Sequence, residues 1–222
     1  MLLAMDTSTT WIGLALYDGV RVLAEMTWQS RNHHTVELSP AIDEIMNRCG
    51  ARPTDLEALA VATGPGSFTS LRIGLAMVKG MSLALHIPVI GVPTLDVLVA
   101  AQPVQNMPLA ALLQAGRGRL ALVWYEAVNG KWKSCSEPEI TTAEELSAKI
   151  EKPTLVIGEL DAAERQTLAR KRKNVLLASP AQSMRRSSYL AEIAWDRWRS
   201  GSVDEVVSLA PIYLHVAEAI PS

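Results

Sequence analysis

Two short segments hold the residues whose types and spacing suit them to chemistry. The first is Asp6-Thr7-Ser8-Thr9-Thr10, a carboxylate closing an apolar run and four hydroxyl residues after it. Hydroxyls and turn N–H groups can cradle a phosphate. The same residues can also close a polar turn on themselves through side chain-to-backbone bonds. Asp6 has no obvious acidic partner for a firmly held metal, since Glu25, Glu37, Asp43 and Glu44 belong to other elements.

The second segment is Gly64-Pro65-Gly66-Ser67-Phe68-Thr69-Ser70-Leu71-Arg72-Ile73-Gly74, between the apolar run 59–63 and a long apolar helix pattern. Strand, glycine turn and helix present backbone N–H groups to an anion. The side chains of nucleotide chemistry are missing. Gly64-x-Gly66-x-x-Thr69 lacks the third glycine of a dinucleotide fingerprint and the acid about 20 positions on. A P-loop would need Gly-Lys-Ser/Thr directly before the helix. Ser67 or Thr69 can cap the helix. Asp6, Thr7, Ser8 and Thr9 with Gly64, Pro65, Gly66 and Ser67 therefore read as the remnant of a phosphate loop. A nucleotide-like loop without catalytic equipment points to a partner protein rather than an enzyme. Arg72 stands in the first helical turn, where the helix dipole disfavours a cation. It calls for a carboxylate or phosphate partner, or faces another protein.

Strands are expected at 2–6, 11–17 and 20–28, with Asp18-Gly19 as a hairpin turn and Val20, Val22, Ala24 and Met26 on one face. A helix over 35–49 carries Leu38, Ile42, Ile45 and Cys49 on one stripe and stops at Gly50. Strand 58–63, helix 69–85, strand 88–92 and a short helix over 94–101 follow. Pro103 and Pro108 mark a joint, and the order repeats: strands 109–114 and 119–127, the turn Asn129-Gly130, strand 131–135, helix 142–150, strand 154–158, helix 161–172, strand 174–178 and helix 183–199. Thr141/Glu144 or Thr142/Glu145 gives the first helix of this half a capping box. Each half reads β-β-β-α-β-α-β-α, which implies two lobes, 1–101 and a more diverged 102–222, each a mixed sheet flanked by helices. Duplication of this unit resembles the actin-like ATPase (ASKHA, ribonuclease H-like) superfamily. In those proteins the hairpin equivalent to residues 6–10 wraps the nucleotide phosphates, and a nearby acid holds the metal through water.

Helix 69–85 is apolar on two flanks, Leu71/Leu75/Val78 and Ile73/Met77/Met81/Ala84, around a polar stripe of Arg72 and Lys79 that His86 continues. A helix apolar on nearly all sides must be buried on nearly all sides. One flank can pack on its own sheet, and either helix 35–49 or a partner's helices must cover the other. Gly74, Ala76, Gly80, Ser82 and Ala84 are small enough for close helix approach.

The 222 residues are 49% hydrophobic and 20% charged, with a net charge of −2, which places the chain among ordinary globular proteins and argues against a surface that binds nucleic acid by charge alone. Two cysteines far apart fit a reducing compartment. The N-terminus lacks a basic region and its apolar run is short for a signal peptide. No run is expected to reach the length of a membrane span. The expectation is a cytoplasmic protein.

Met5-Asp6-Thr7-Ser8, His34-Thr35 with Leu38 and Pro40, Gly64-Pro-Gly-Ser-Phe-Thr, Leu71-Arg72-Ile73-Gly74 and Pro88-Val-Ile-Gly-Val together resemble the bacterial TsaB (YeaZ) family over most of residues 1–101. That family assists synthesis of threonylcarbamoyladenosine beside the anticodon of some tRNAs. Its members are paralogues of the catalytic subunit TsaD, which carries a metal-binding histidine pair spaced i,i+4. Here the matching segment, Pro93-Thr94-Leu95-Asp96-Val97-Leu98, has no histidine, and His33, His34, His86 and His215 contain no such pair.

The resemblance thus implies a non-catalytic subunit with no metal site that binds TsaD. The implied contact is a bundle of helices 35–49 and 69–85 using Thr35, Leu38, Ile42, Arg72, Ile73, Leu75, Ala76, Met77, Lys79 and Gly80. It also implies the ATPase TsaE as a further partner, while the apolar patch suggests a homodimer when the chain is alone and the charge and run lengths suggest no tRNA binding of its own and no membrane. No cofactor is required by this chain, and any ATP or ADP would belong to the assembled complex. The second half fits the family less closely, reading Gln114-Ala115-Gly116-Arg117 for an Asp-Ala-Arg motif and Pro211-Ile212-Tyr213-Leu214-His215 for Pro-x-Tyr-Leu-Arg.

Arg170-Lys171-Arg172-Lys173 and Arg185-Arg186 are basic clusters, the first read as a solvated helix end or a tRNA contact. Trp195 and Trp198 are read as core residues or stacking platforms. Gly158, Glu159 and Asp161 after a strand keep an independent ATPase or kinase open. A metalloprotease, the superfamily's glycoprotease label, lacks His-Glu-x-x-His or any convincing nucleophile arrangement.

Overall fold

A computed structural model describes residues 1–214 apart from Asn32, Arg117 and Arg172. His215 and Arg172 of the sequence motifs, and Arg117 of the Gln-Ala-Gly-Arg run, thus lie outside the described residues. The first sheet contains β1 (Leu2–Asp6), β2 (Trp11–Tyr17), β3 (Val22–Gln29), β4 (Ala58–Ala62) and β5 (Val89–Val92) in the order β3-β2-β1-β4-β5. Hairpins make β1, β2 and β3 antiparallel, while helical crossovers make β4 and β5 parallel to β1. The second sheet repeats the plan with β6 (Leu109–Gln114), β7 (Leu120–Val128), β8 (Lys131–Ser134), β9 (Glu139–Thr141), β10 (Thr154–Gly158) and β11 (Val175–Leu177), ordered β11-β10-β6-β7-β8. This repetition is the duplicated actin-like ATPase architecture. The third strand of the second sheet is split. β8 pairs with the end of β7 and β9 with its start, so β9 adds a strand that the sequence pattern misses. Asn129 and Gly130 at the β7–β8 turn both have positive φ, 51° and 73°, as a tight hairpin requires.

Alternation decides which faces are covered. Leu3, Met5, Leu14, Leu16, Leu59 and Val61 turn to one side of the first sheet, under α1 (His34–Arg48) and α2 (Phe68–Leu85). Leu2, Ala4, Ala15, Ala60 and Ala62 turn to the other, where their small side chains admit Leu190, Ala191 and Ala194 of α6 (Ser187–Arg199). Trp195 and Trp198 pack partly buried against this cluster, ring centroids 4.9 Å apart, which settles their core reading. On the second sheet, α4 (Ala143–Lys149) and α5 (Ala162–Ala169) cover one face, and Leu95, Leu98 and Val99 of α3 (Thr94–Ala100) cover the other. The Thr142/Glu145 capping box forms at α4.

Packing crosses the proline joint in both directions, because α3 serves the second sheet and α6 the first. Residues 201–214 then return along the first lobe. The Asp204 carboxylate accepts the Gly91 N–H at 2.8 Å, the Ile212 N–H reaches the Thr63 carbonyl at 2.7 Å, and Leu209 joins the core. Contrary to the expectation of no membrane-length run, α2 is long and apolar enough to cross a membrane by length and composition. Its apolar side packs on the sheet, and Arg72 and Lys79 interrupt the rest.

Candidate functional site

The residues of the phosphate-loop remnant converge, and they bond to one another. Asp6 ends β1, where its Oδ1 accepts the Ser8 N–H at 2.8 Å. Thr7 Oγ1 donates to the Ser70 carbonyl of α2 at 2.8 Å. The Ser8 hydroxyl meets Thr94 Oγ1 at 2.8 Å, and that oxygen also accepts the Gly64 N–H at 2.9 Å. The Ser67 N–H donates to the Ser8 carbonyl at 2.7 Å, and Ser67 Oγ accepts the Ser70 N–H to cap α2. Thr7, Ser8 and Thr9 are all buried. Glycine permits this closeness. A methyl group at Gly66 would overlap the Ser8 carbonyl, and one at Gly74 would overlap Thr7 Oγ1. Gly74 therefore serves the approach of α2 to the hairpin of its own lobe rather than to another helix.

The partner of Asp6 is a base. Arg185, read from sequence as half of a basic pair, is buried between the lobes. Its Nε donates to Asp6 Oδ2 at 2.6 Å, its Nη2 donates to Thr9 Oγ1 at 3.0 Å, and its Nη1 binds Glu159 Oε1. Thr9 Oγ1 also donates to Glu159 Oε1 at 3.1 Å, closing a ring of Arg185, Thr9 and Glu159 to which Asp6 is joined through Arg185. Burial pulls the guanidinium pKa down, and the Asp6 and Glu159 carboxylates more than reverse this, so it is raised. No local pattern marks Arg185, because 179 positions separate it from Asp6. Arg186 instead pairs with Glu25 at 2.6 Å on the surface. Asp161 caps α5 and Glu159 is held by Arg185, so both acids that kept an independent ATPase open have structural bonds. Beside this ring lies an interlobe cleft of about 460 Å³, lined by Trp11, Gln29, Gln114, Asp161, Arg165 and Met184 among others. Among the described residues no group of three His, Cys, Asp or Glu is placed to hold a metal ion.

The helix residues divide sharply. Leu38, Ile42 and Leu75 are buried within the first-sheet core. The expected interface residues thus divide between the core of the first sheet and the surface. Ile73, Met77 and Met81 pack partly against the same core, which includes the α1 side chains. Thr35, Arg72, Ala76 and Gly80 are exposed, and Lys79 is half-buried. Phe68, Leu83 and Val36 are exposed apolar residues on α2 and α1. Among the described residues Arg72 meets two aromatic rings rather than a carboxylate. Its guanidinium lies 3.7 Å from the centre of the Phe68 ring, and Nε donates to the Tyr213 hydroxyl at 2.8 Å. Lys79 Nζ donates to the Val207 carbonyl at 3.2 Å. The polar stripe of α2 thus anchors the returning C-terminal segment, a partner that the sequence reading missed.

A family model described as TsaD, tRNA N6-adenosine threonylcarbamoyltransferase, matches residues 21–179. The chain is 29% identical over 226 residues to the tRNA threonylcarbamoyladenosine biosynthesis protein TsaB of Bacillus subtilis, spanning 98% of this chain and 95% of that one. It is 34% identical over 134 residues to the protein of the same name from Escherichia coli, spanning 59% of this chain and 58% of that one. The solved structure of YeaZ from Pseudomonas aeruginosa shares the fold, with a TM-score of 0.79 at 23% identity over 96% of this chain and 99% of the other. With this match, the glycine-loop string and the duplicated fold in agreement, the chain belongs to the TsaD family and, within it, to the TsaB (YeaZ) group.

Proposed function

We propose that this chain is a non-catalytic scaffold subunit in tRNA threonylcarbamoyladenosine biosynthesis that binds the TsaD transferase through the outer face of α1 and α2. The observation that carries this reading is that face itself. Phe68 and Leu83 expose 53% and 68% of their surface on the α2 stripe that also carries the small residues Ala76 and Gly80, and Val36 exposes 70% on α1. Apolar side chains flanking small ones suit close helix packing against a partner. Thr35, Arg72, Ile73, Met77 and Lys79 border the same surface. The internal bonding of the hydroxyl hairpin and of Glu159 supports a subunit that performs no chemistry of its own. In this reading the protein acts in the cytoplasm, TsaE engages the assembled pair, any ATP or ADP is held by the complex, the free chain covers the face by dimerising, and tRNA is not bound by this chain alone.

Leu83→Arg and Ala76→Arg place a charge on the exposed face while leaving the core intact. An interface of about 800 Å² per partner tolerates a desolvated charge poorly. Both variants should stay folded and lose co-purification with TsaD from the same organism, with native mass measurement giving the stoichiometry. Undiminished co-purification of both would remove α2 as the contact. ATP turnover with Mg²⁺ by the purified chain would favour an enzyme instead.

A further inference from the structure

The cluster of Asp6, Thr9, Glu159 and Arg185 does more than satisfy four polar side chains. Asp6 and Thr9 belong to the first lobe, and Glu159 directly follows β10 of the second. Arg185 lies between β11 and α6, on the segment that carries the last helix across to the first sheet. The Arg185 and Asp6 side chains are 3% and 4% exposed, so this is an interior ion pair rather than a rim contact. Three of its N–H directions are used: Nε on one lobe's carboxylate, Nη1 on the other's, and Nη2 on Thr9 Oγ1, which itself bonds Glu159. The planar fork of a guanidinium suits this three-way geometry, whereas an ammonium is a point charge that would favour one carboxylate. Without the cation, two carboxylates from opposite lobes would face one another in a buried space, where like charges repel strongly.

We propose that Arg185 is a built-in cation that holds the interlobe cleft closed, so that closure of the two lobes is set by the chain's own fold and needs no bound ligand. Arg185 and Glu159 line the cleft together with Trp11, Gln29, Gln114 and Asp161, so the cluster stands at its wall. Backbone bonds near it are lobe-internal: the Ser8 N–H returns to Asp6, and the Glu159 N–H returns to Leu112. The guanidinium is therefore the charged link between the Asp6 hairpin and the Gly158–Asp161 turn, with the Thr9–Glu159 hydrogen bond beside it.

Hydrogen exchange read by mass spectrometry on the full chain tests this. In Arg185→Gln, amides of residues 6–10 and 158–161 should exchange at least about tenfold faster, while β7, α4 and α5 keep wild-type rates, since a local opening exposes only the amides it frees. In Arg185→Gly, guanidinium ion at tens of millimolar, well below denaturing concentrations, should restore protection at both segments. Tetramethylammonium at the same concentration should not, because it donates no hydrogen bonds. Because Arg185→Gln could unfold, a charge-free triple variant (Asp6→Asn, Glu159→Gln, Arg185→Gln) provides a second arm: with no carboxylate left to repel another it should fold and show the same two-segment loss. Wild-type exchange at both segments in the variants, a loss spread evenly over the chain, or equal rescue by both cations would each overturn the proposal.

Discussion

Replacing Tyr125 by Phe should destabilise the protein in a pH-dependent way. The Tyr125 hydroxyl donates to Asp96 Oδ1 at 2.6 Å, linking β7 to α3 where that helix packs on the second sheet. Tyr125 is only 3% exposed, so water cannot replace the lost donor without opening the core. Burial raises the pKa of Asp96, and the Tyr125 hydrogen bond partly offsets the rise. Burial, and then the charge of Asp96, raises the pKa of Tyr125, which keeps the phenol a donor at neutral pH. A group whose folded pKa lies above its unfolded value favours the folded chain below the unfolded pKa, and that contribution is lost as pH rises through the folded one.

Removing the donor raises the folded pKa of Asp96 further, so the deficit of the variant grows with pH. A hydrogen bond to a charged group contributes about 1.5–3 kcal/mol. For a chain of this size a loss of about 2 kcal/mol lowers the melting temperature by roughly 4–8 °C. Differential scanning calorimetry at neutral pH and near pH 4 reads this directly: a drop of that order at neutral pH, much smaller in acid. In an Asp96→Asn background the pH dependence of the Tyr125→Phe deficit should vanish. A deficit of the same size at both pH values, or one larger in acid, would refute the assignment of the cost to the stranded carboxylate.

Two glycines of α2 should respond in opposite directions to alanine. Gly80 has open space where a methyl group would go, so Gly80→Ala should stabilise by about 0.5–1 kcal/mol through reduced chain entropy. Gly74→Ala meets Thr7 Oγ1 and should cost about 1–3 kcal/mol as overpacking. Denaturant midpoints check both, and equal shifts would contradict the close approach of hairpin and helix. Asp204→Ala removes the acceptor of Gly91 N–H and of Arg197 Nη2, the latter at 3.2 Å. It should make residues 201–214 more susceptible to limited proteolysis while the β-strand amides stay protected. Unchanged cleavage would mean that Leu209 and Tyr213 hold the segment without it.

The sequence alone determined the elements, their order and the duplication, because hydrophobic period, turn dipeptides and capping residues are local signals. Apolar runs located β1, β2, β4 and β5, Asn129-Gly130 fixed a hairpin, and Thr142 with Glu145 marked the start of α4. The family was legible in the string from Gly64 to Gly74. The split of β8 from β9 was not, since three residues of strand carry too little period. Tertiary structure alone decided the partners. Leu75 and Ala76 are adjacent in an apolar helix, and only docking on the sheet makes one core and the other surface. Arg72 and Lys79 looked like a stripe awaiting another molecule, and the returning C-terminal segment takes them instead. Asp6 lacked an acidic neighbour for a metal, and the folded chain brings it the guanidinium of Arg185. Such pairings depend on how two sheets and a swapped helix pack, a relation between distant positions that no local spacing records.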